Sequence, residues 1–429
     1  MVAISKLPVL FIVYVFYTSI FFPYIKIIPS PTDVQPYCLI LAGFIGALFI
    51  YSKSIYLKIP FEIMLLFFVF VFAVAVFFTI SNLDFNSLRS LANYSSIFFI
   101  CFSTYFVLKN QHGFSNNFLK YVIYFWFLIG LIQRFFYRDF MVSLIGRGFA
   151  EGQNWFRGVI GLAPEPTFYG LMCILLIFLA YFHFKGKNKL LIVLLLIQIF
   201  LFSMSSTTIL LLCVFFIYYI LIYFTSVRNL LKTVKIIVPL LLLLYGLLIF
   251  EKYINFSQTR FYGIASLLLE NPLLIMQDES ASDRIIHILF SFLGFFGNYF
   301  LPHGFGKWSE YIGGLYPDVL SYGTVVSVGG ERIMSGYGAA FFELGLMGIL
   351  IFISFNFALY RFYRNDIRKF LWISLCFNTV LLTSIQLANP ILGFIIGYLA
   401  YYSRNLNIEK KNPKSINRGP RACPRVIEA

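Results

Sequence analysis

Charged side chains are scarce in this chain: Asp, Glu, Lys and Arg make up 12% of its residues, against roughly a quarter in soluble globular domains. That shortage, with 60% hydrophobic residues, excludes an ordinary soluble fold and places the chain among membrane proteins. Cysteine is present six times, but singly and mostly within apolar runs. No disulfide framework or CxxC metal spacing follows from it. Histidine occurs only four times, and no HExxH or Cys/His cluster is found, so zinc chemistry has no sequence support. Outward-facing carboxylates do not form a DxD pair. The expectation is therefore an activity without a metal and without a cofactor. The net charge of +15 does not indicate nucleic acid as a partner, because most Lys and Arg fall in short segments between apolar runs, where they determine topology.

Long apolar runs are what the chain has in abundance. A span of the hydrocarbon core needs about 20 apolar residues, and by that measure the sequence reads as about twelve helices. They are placed at 8–25, 36–51, 61–80, 91–108, 118–135, 167–184, 190–205, 207–225, 236–250, 337–360, 370–385 and 391–403. The apolar run after Lys6 resembles the start of a signal peptide, but it is long and lacks a small-residue cleavage site, so an uncleaved first span is expected. The run 190–225 carries the polar break "SMSSTT" and reads as two short spans joined by a tight turn. Basic residues in alternate loops and in the tail place both termini in the cytoplasm. Residues 1–405 form one membrane domain, and 406–429 a polar, disordered cytoplasmic tail.

Two long loops, 136–166 and 251–336, fall on the outer face. Loops of this length without structure of their own tend to be functional. They and their borders hold Arg134, Arg138, Arg147, Arg157, Arg260, Arg284 and Arg332, on the side where orientation requires no positive charge. The guanidinium fork suits phosphate or pyrophosphate, so an anionic substrate approaching from outside is the natural expectation.

Four stretches carry the remaining chemistry. In "RGVIGLAPEPTFYG", 157–170, Pro164 and Pro166 break helical bonding, and Thr167 reads as the N-cap of the sixth span. Glu165 is either a capping carboxylate or a group that positions Arg157 or a substrate. In "SASDRIIHILFSFLGFFGNYF", Asp283, His287 and Ser291 share one face of an interfacial helix. That stripe either serves a site or faces the headgroups. "LPHGFGKW", 301–308, sets His303 before a Gly-x-Gly turn, either as an acid–base group or as a polar loop residue. In "SGYGAAFFELGLMG", 335–348, Glu343 lies two turns into an apolar helix and needs a partner or a cavity. Beyond it, Asn389–Pro390 forms an outward turn between the last two spans.

These stretches, with "FSMSSTTIL", resemble the O-antigen polymerase (Wzy) family of bacterial envelope proteins and, more broadly, the O-antigen ligase/polymerase superfamily. Thr167 stands where that family's Pro-Glu-Pro-Ser signature has serine, and the usual arginine and glycine of the serine-rich turn are missing. The resemblance implies a C-type-like membrane glycosyltransferase of the bacterial inner membrane. It would join undecaprenyl-diphosphate-linked oligosaccharide units on the periplasmic face, among membrane lipids and with a chain-length regulator protein as a possible partner. Ligases of the superfamily carry a His-Asn pair where this chain has Ser335 and Gly336, so polymerase is preferred over ligase. A flippase of lipid-linked oligosaccharide is the alternative from another class. On this reading Arg157 and Arg284 ligate the diphosphate and Arg332 supports them. Arg147, Arg260, Asp283 and Glu343 contact substrate, Glu165 positions Arg157 or the acceptor, and His303 is the acid–base group.

Overall fold

The computed structural model describes residues 6–27, 32–51, 59–145, 158–223, 279–319, 333–383 and 385–411. The regular structure among the described residues is helical, without strands. In chain order the helices are α1 (Lys6–Phe21), α2 (Tyr37–Tyr51), α3 (Phe61–Thr79), α4 (Phe85–Asn110), α5 (Asn116–Phe135), α6 (Pro166–Phe184), α7 (Lys189–Ile197) and α8 (Ser206–Tyr223). They continue with α9 (Glu279–Gly297), α10 (Trp308–Val319), α11 (Gly336–Leu344), α12 (Ile349–Phe362), α13 (Ile367–Thr383) and α14 (Pro390–Lys411). Six segments among the described residues are long and apolar enough to cross a membrane: α3, α4, α5, α6, α8 and the continuous run Gly336–Phe362. Shorter apolar helices accompany them in α1, α2, the α7 region and α9. The expected ninth span, 236–250, lies outside the described residues.

Helix α4 organises the bundle. Its start is fixed by Asp84, whose Oδ1 accepts the Ser87 N–H at 2.8 Å, as an N-cap should. Its 26 residues run about 39 Å at 1.5 Å per residue, longer than the hydrocarbon core. Helices α2, α3 and α14 pack along it. Small residues allow this. Ser103 Oγ donates to the Ala42 carbonyl at 2.6 Å, and Gly397 brings α14 against the Cys101 carbonyl. Helix backbones approach closely in this way where packing rather than water exclusion holds spans together.

Three departures from the sequence reading have local causes. The run 190–225 does divide, but through a π-helical turn, Gln198–Ser203, followed by Met204 in the left-handed region. Helix α6 is capped by Glu165 rather than Thr167, with Pro166 in its first turn. Proline is suited to that position because its missing N–H is one that the helix leaves unbonded anyway. The expected span 337–360 stands as one apolar segment, but its helix is interrupted: Gly345 has φ +59° and begins a 3-10 turn, Gly345–Gly348, between α11 and α12.

A buried ionic pair joins two of the described apolar helices. Arg361 Nη1 reaches both oxygens of Glu62, at 2.9 and 3.1 Å, and Glu62 is wholly buried. The pair joins the end of α12 to the start of α3.

Candidate functional site

The segment entering α6 is buried non-helical backbone from Gly158 to Pro164. Its polar groups are met by protein, which is the condition for such backbone at membrane depth. The Val159 N–H donates to the Phe202 carbonyl at 2.8 Å. Gln133 clamps Gly161 from both sides: its Oε1 accepts the Gly161 N–H at 2.7 Å and its Nε2 donates to the Gly161 carbonyl at 2.8 Å. At Gly158 a Cβ would lie 1.7 Å from the Ser203 carbonyl oxygen, so only glycine permits the contact. Tyr169 donates to Gln198 Oε1 at 2.9 Å, and Ser205 donates to Thr167 Oγ1 at 3.1 Å. The proline-rich entry and the serine-rich turn are thus one packed unit. Glu165 projects from it, exposed, and its side chain makes no capping hydrogen bond.

A second unit forms where α9, α10 and α11 meet. Helix α9 turns its polar stripe inward: His287 and Ser291 are buried, whereas Leu289, Leu293 and Phe296 are exposed. His287 and Ser291 therefore face protein. The His287 ring stacks on Trp308 at 5.2 Å, and its Nδ1 accepts the Met334 N–H at 3.3 Å. Burial, with the Arg284 guanidinium behind it, pushes the His287 imidazole down from 6.5 to about 4. A neutral ring is the form that can accept from Met334. Arg284 sits half-buried one turn earlier on α9.

His303 is held by both backbone and side chain. Its N–H donates to the Phe342 carbonyl at 3.0 Å, and its ring stacks on Phe342 at 4.2 Å and 6°. Nε2 lies 3.0 Å from the Gly294 carbonyl. A carbonyl only accepts, so Nε2 carries the proton and Nδ1 is the basic nitrogen of the neutral ring. The break at Gly345 shares this contact: Leu346 N–H donates to the Phe300 carbonyl at 2.9 Å, locking the loop before His303 to the broken helix. Beside His303 opens a cleft of about 510 Å³, lined also by Lys307, Glu310, Tyr311, Gly314 and Leu315.

Glu343, expected to contact substrate, is met by two protein hydroxyls. Its two oxygens accept from Ser90 Oγ at 2.9 Å and Tyr94 Oη at 2.6 Å. It ties α11 to α4, one residue after the helix position that stacks on His303. An apolar helix makes such a group costly unless it is partnered, and here hydroxyls rather than arginines partner it.

The two units are bridged at the turn before α14. Asn389 Nδ2 donates to Tyr24 Oη at 3.4 Å and faces the Met172 sulfur on α6. The Ile385 carbonyl and Leu387 press on Gly336 at the start of α11. Among the expected site residues, the fold brings Arg284, His303 and Glu343 to the second unit and Glu165 to the first. Arg147, Arg157, Arg260 and Arg332 lie outside the described residues, as does the side chain of Asp283. Sequence reasoning missed Gln133, Tyr311, and the Ser90–Tyr94 pair. Of these only the last had a signal, two polar groups one helical turn apart in an apolar helix. Among the described residues, no three His, Cys, Asp or Glu side chains converge as a metal site would require. No protein-family model matches the chain, and no curated protein matches it in sequence.

Proposed function

We propose that the protein is a glycosyltransferase of the bacterial inner membrane. It polymerises undecaprenyl-diphosphate-linked oligosaccharide repeat units on the periplasmic face, through about twelve spans and with both termini cytoplasmic. The observation that carries this reading is the pairing of the motif stretches. The Pro-Glu-Pro entry packs on the serine-rich turn, the Gly-x-Gly turn packs on the Glu-Leu-Gly helix, and the Asn389 turn bridges the two. Stretches scattered over half the chain are thus linked by direct contacts among the described residues.

In the reaction, a hydroxyl of the acceptor unit attacks the anomeric carbon of the growing chain. The new C–O bond forms as the bond to the lipid diphosphate breaks, and its electron pair leaves with the diphosphate. The hydroxyl proton passes to His303 Nδ1, the nitrogen left basic by the bond of Nε2 to Gly294. Arg157 and Arg284, with Arg332, Arg147 and Arg260, stabilise the departing charge. Glu165, exposed at the α6 cap, positions Arg157 or the acceptor. Glu343 holds α11 to α4 through Ser90 and Tyr94, and with α11 the Phe342 on which His303 stacks.

A deletion strain examined by polysaccharide ladder tests the reading. The expected outcome is loss of every band beyond a single capped unit. Lipid-linked polymer accumulating unattached would instead indicate a ligase, and units trapped on the inner leaflet a flippase.

A further inference from the structure

We infer that the cleft beside His303 is a pyranose-binding subsite, which seats a sugar of the acceptor unit; this inference rests on the glycosyltransferase reading above. A pyranose ring presents an apolar C–H face edged by hydroxyls, so its site needs an aromatic surface flanked by groups that both donate and accept. The cleft has that composition. Tyr311 and the His303 ring lie 5.4 Å apart, tilted by 54°, and supply the aromatic wall. Lys307 and Glu310 stand at the rim, 3.3 Å apart and accessible at 30% and 72%.

The charge balance of that rim decides the ligand class. One ammonium and one carboxylate side by side carry no net charge and so attract a diphosphate weakly, whereas paired donors and acceptors suit a neutral polyol. Its volume of about 510 Å³ falls within the range of roughly 300–1,000 Å³ usual for small-molecule sites. Gly314 also lines the cleft, and a Cβ there would meet nothing within 4 Å. A sugar seated in the cleft brings its hydroxyls to the histidine that the backbone fixes through Phe342 and Gly294.

That position offers a clean test. Gly314→Leu adds an isobutyl group at a lining position where a Cβ meets nothing within 4 Å and raises helix propensity, so lost binding with an unchanged melting temperature reads as obstruction of the cleft. The full-length protein in lipid nanodiscs would be examined by saturation-transfer NMR with methyl glucopyranoside, methyl galactopyranoside and methyl N-acetylglucosaminide. At least one glycoside is expected to receive saturation, with the signal falling about tenfold in Gly314→Leu and Tyr311→Ala and roughly threefold in Glu310→Gln. No transfer to any glycoside, transfer unchanged by Gly314→Leu, or displacement by inorganic pyrophosphate would each overturn the subsite. The ladder assay separates the two readings. A deletion strain with an intact ladder removes the polymerase reading and leaves glycoside binding standing. A lost ladder on deletion, with a full ladder in Gly314→Leu cells, removes the subsite alone.

Discussion

At the residue scale, His287 and Glu343 show how partners decide what a polar group in an apolar chain does. His287 is buried, stacked and accepting through Nδ1, and its imidazole sits near 4 in the folded protein against an ordinary 6.5. The unfolded chain therefore takes up a proton near pH 6.5 that the folded chain does not bind until about pH 4. Stability contributed by the neutral ring is complete above 6.5 and is lost as the pH falls from 6.5 toward 4. Thermal melts between pH 7 and pH 4 are expected to show that decline, flattened in His287→Gln. Glu343 makes a different case. Replacing it by Leu leaves Ser90 and Tyr94 without an acceptor, at a cost of about 1–3 kcal/mol, whereas Glu343→Gln keeps one acceptor and is expected to cost less. Denaturation in mild detergent reads the difference. If Glu343 only positions α11, Glu343→Gln also keeps most of the polymer ladder.

At the scale of elements, the break between α11 and α12 is the feature on which the second unit depends. Gly345 has φ +59° and ψ −141°, a region almost closed to other residues, and a Cβ there would lie 2.5 Å from the Phe300 carbonyl oxygen. Gly345→Ala is expected to cost more than about 1–3 kcal/mol and to displace the 300–303 loop, so polymer length should collapse even where the protein still reaches the membrane. Immunoblotting beside the ladder separates those two effects. The Glu62–Arg361 pair makes a contrasting prediction between α3 and α12. Arg361→Met strands a wholly buried carboxylate and is expected to destabilise by about 3–5 kcal/mol, while the double change Glu62→Met with Arg361→Met recovers most of that loss. Sequence reading anticipated the helices themselves from their apolar runs. It did not anticipate the break, because four glycines in 335–348 look alike in sequence and only Gly345 has taken the left-handed conformation.

At the scale of the whole molecule, the charge distribution makes a topological prediction. With basic residues concentrated in alternate loops and the tail, a fluorescent protein fused after residue 405 is expected to fold and fluoresce in the cytoplasm, and an alkaline phosphatase fusion there to be inactive. The reverse result would invert the faces and move the motif stretches away from the periplasm.

Hydropathy is a sum over neighbours along the chain, so the membrane class and the positions of the six long apolar helices among the described residues were legible from the sequence alone. The turn at 198–205 and the polar stripe of α9 were visible in the same way, as local breaks in an apolar pattern. Which way the stripe faces was not, because an interfacial helix can bury either side until its neighbours are placed. Nor was the partner of Glu343, whose hydroxyl donor Ser90 lies 253 positions away. Burial is favoured residue by residue, but a hydrogen bond exists only where two distant elements meet. That is why the sequence determined what this chain dissolves in, and only the tertiary structure decided which of its polar groups face one another.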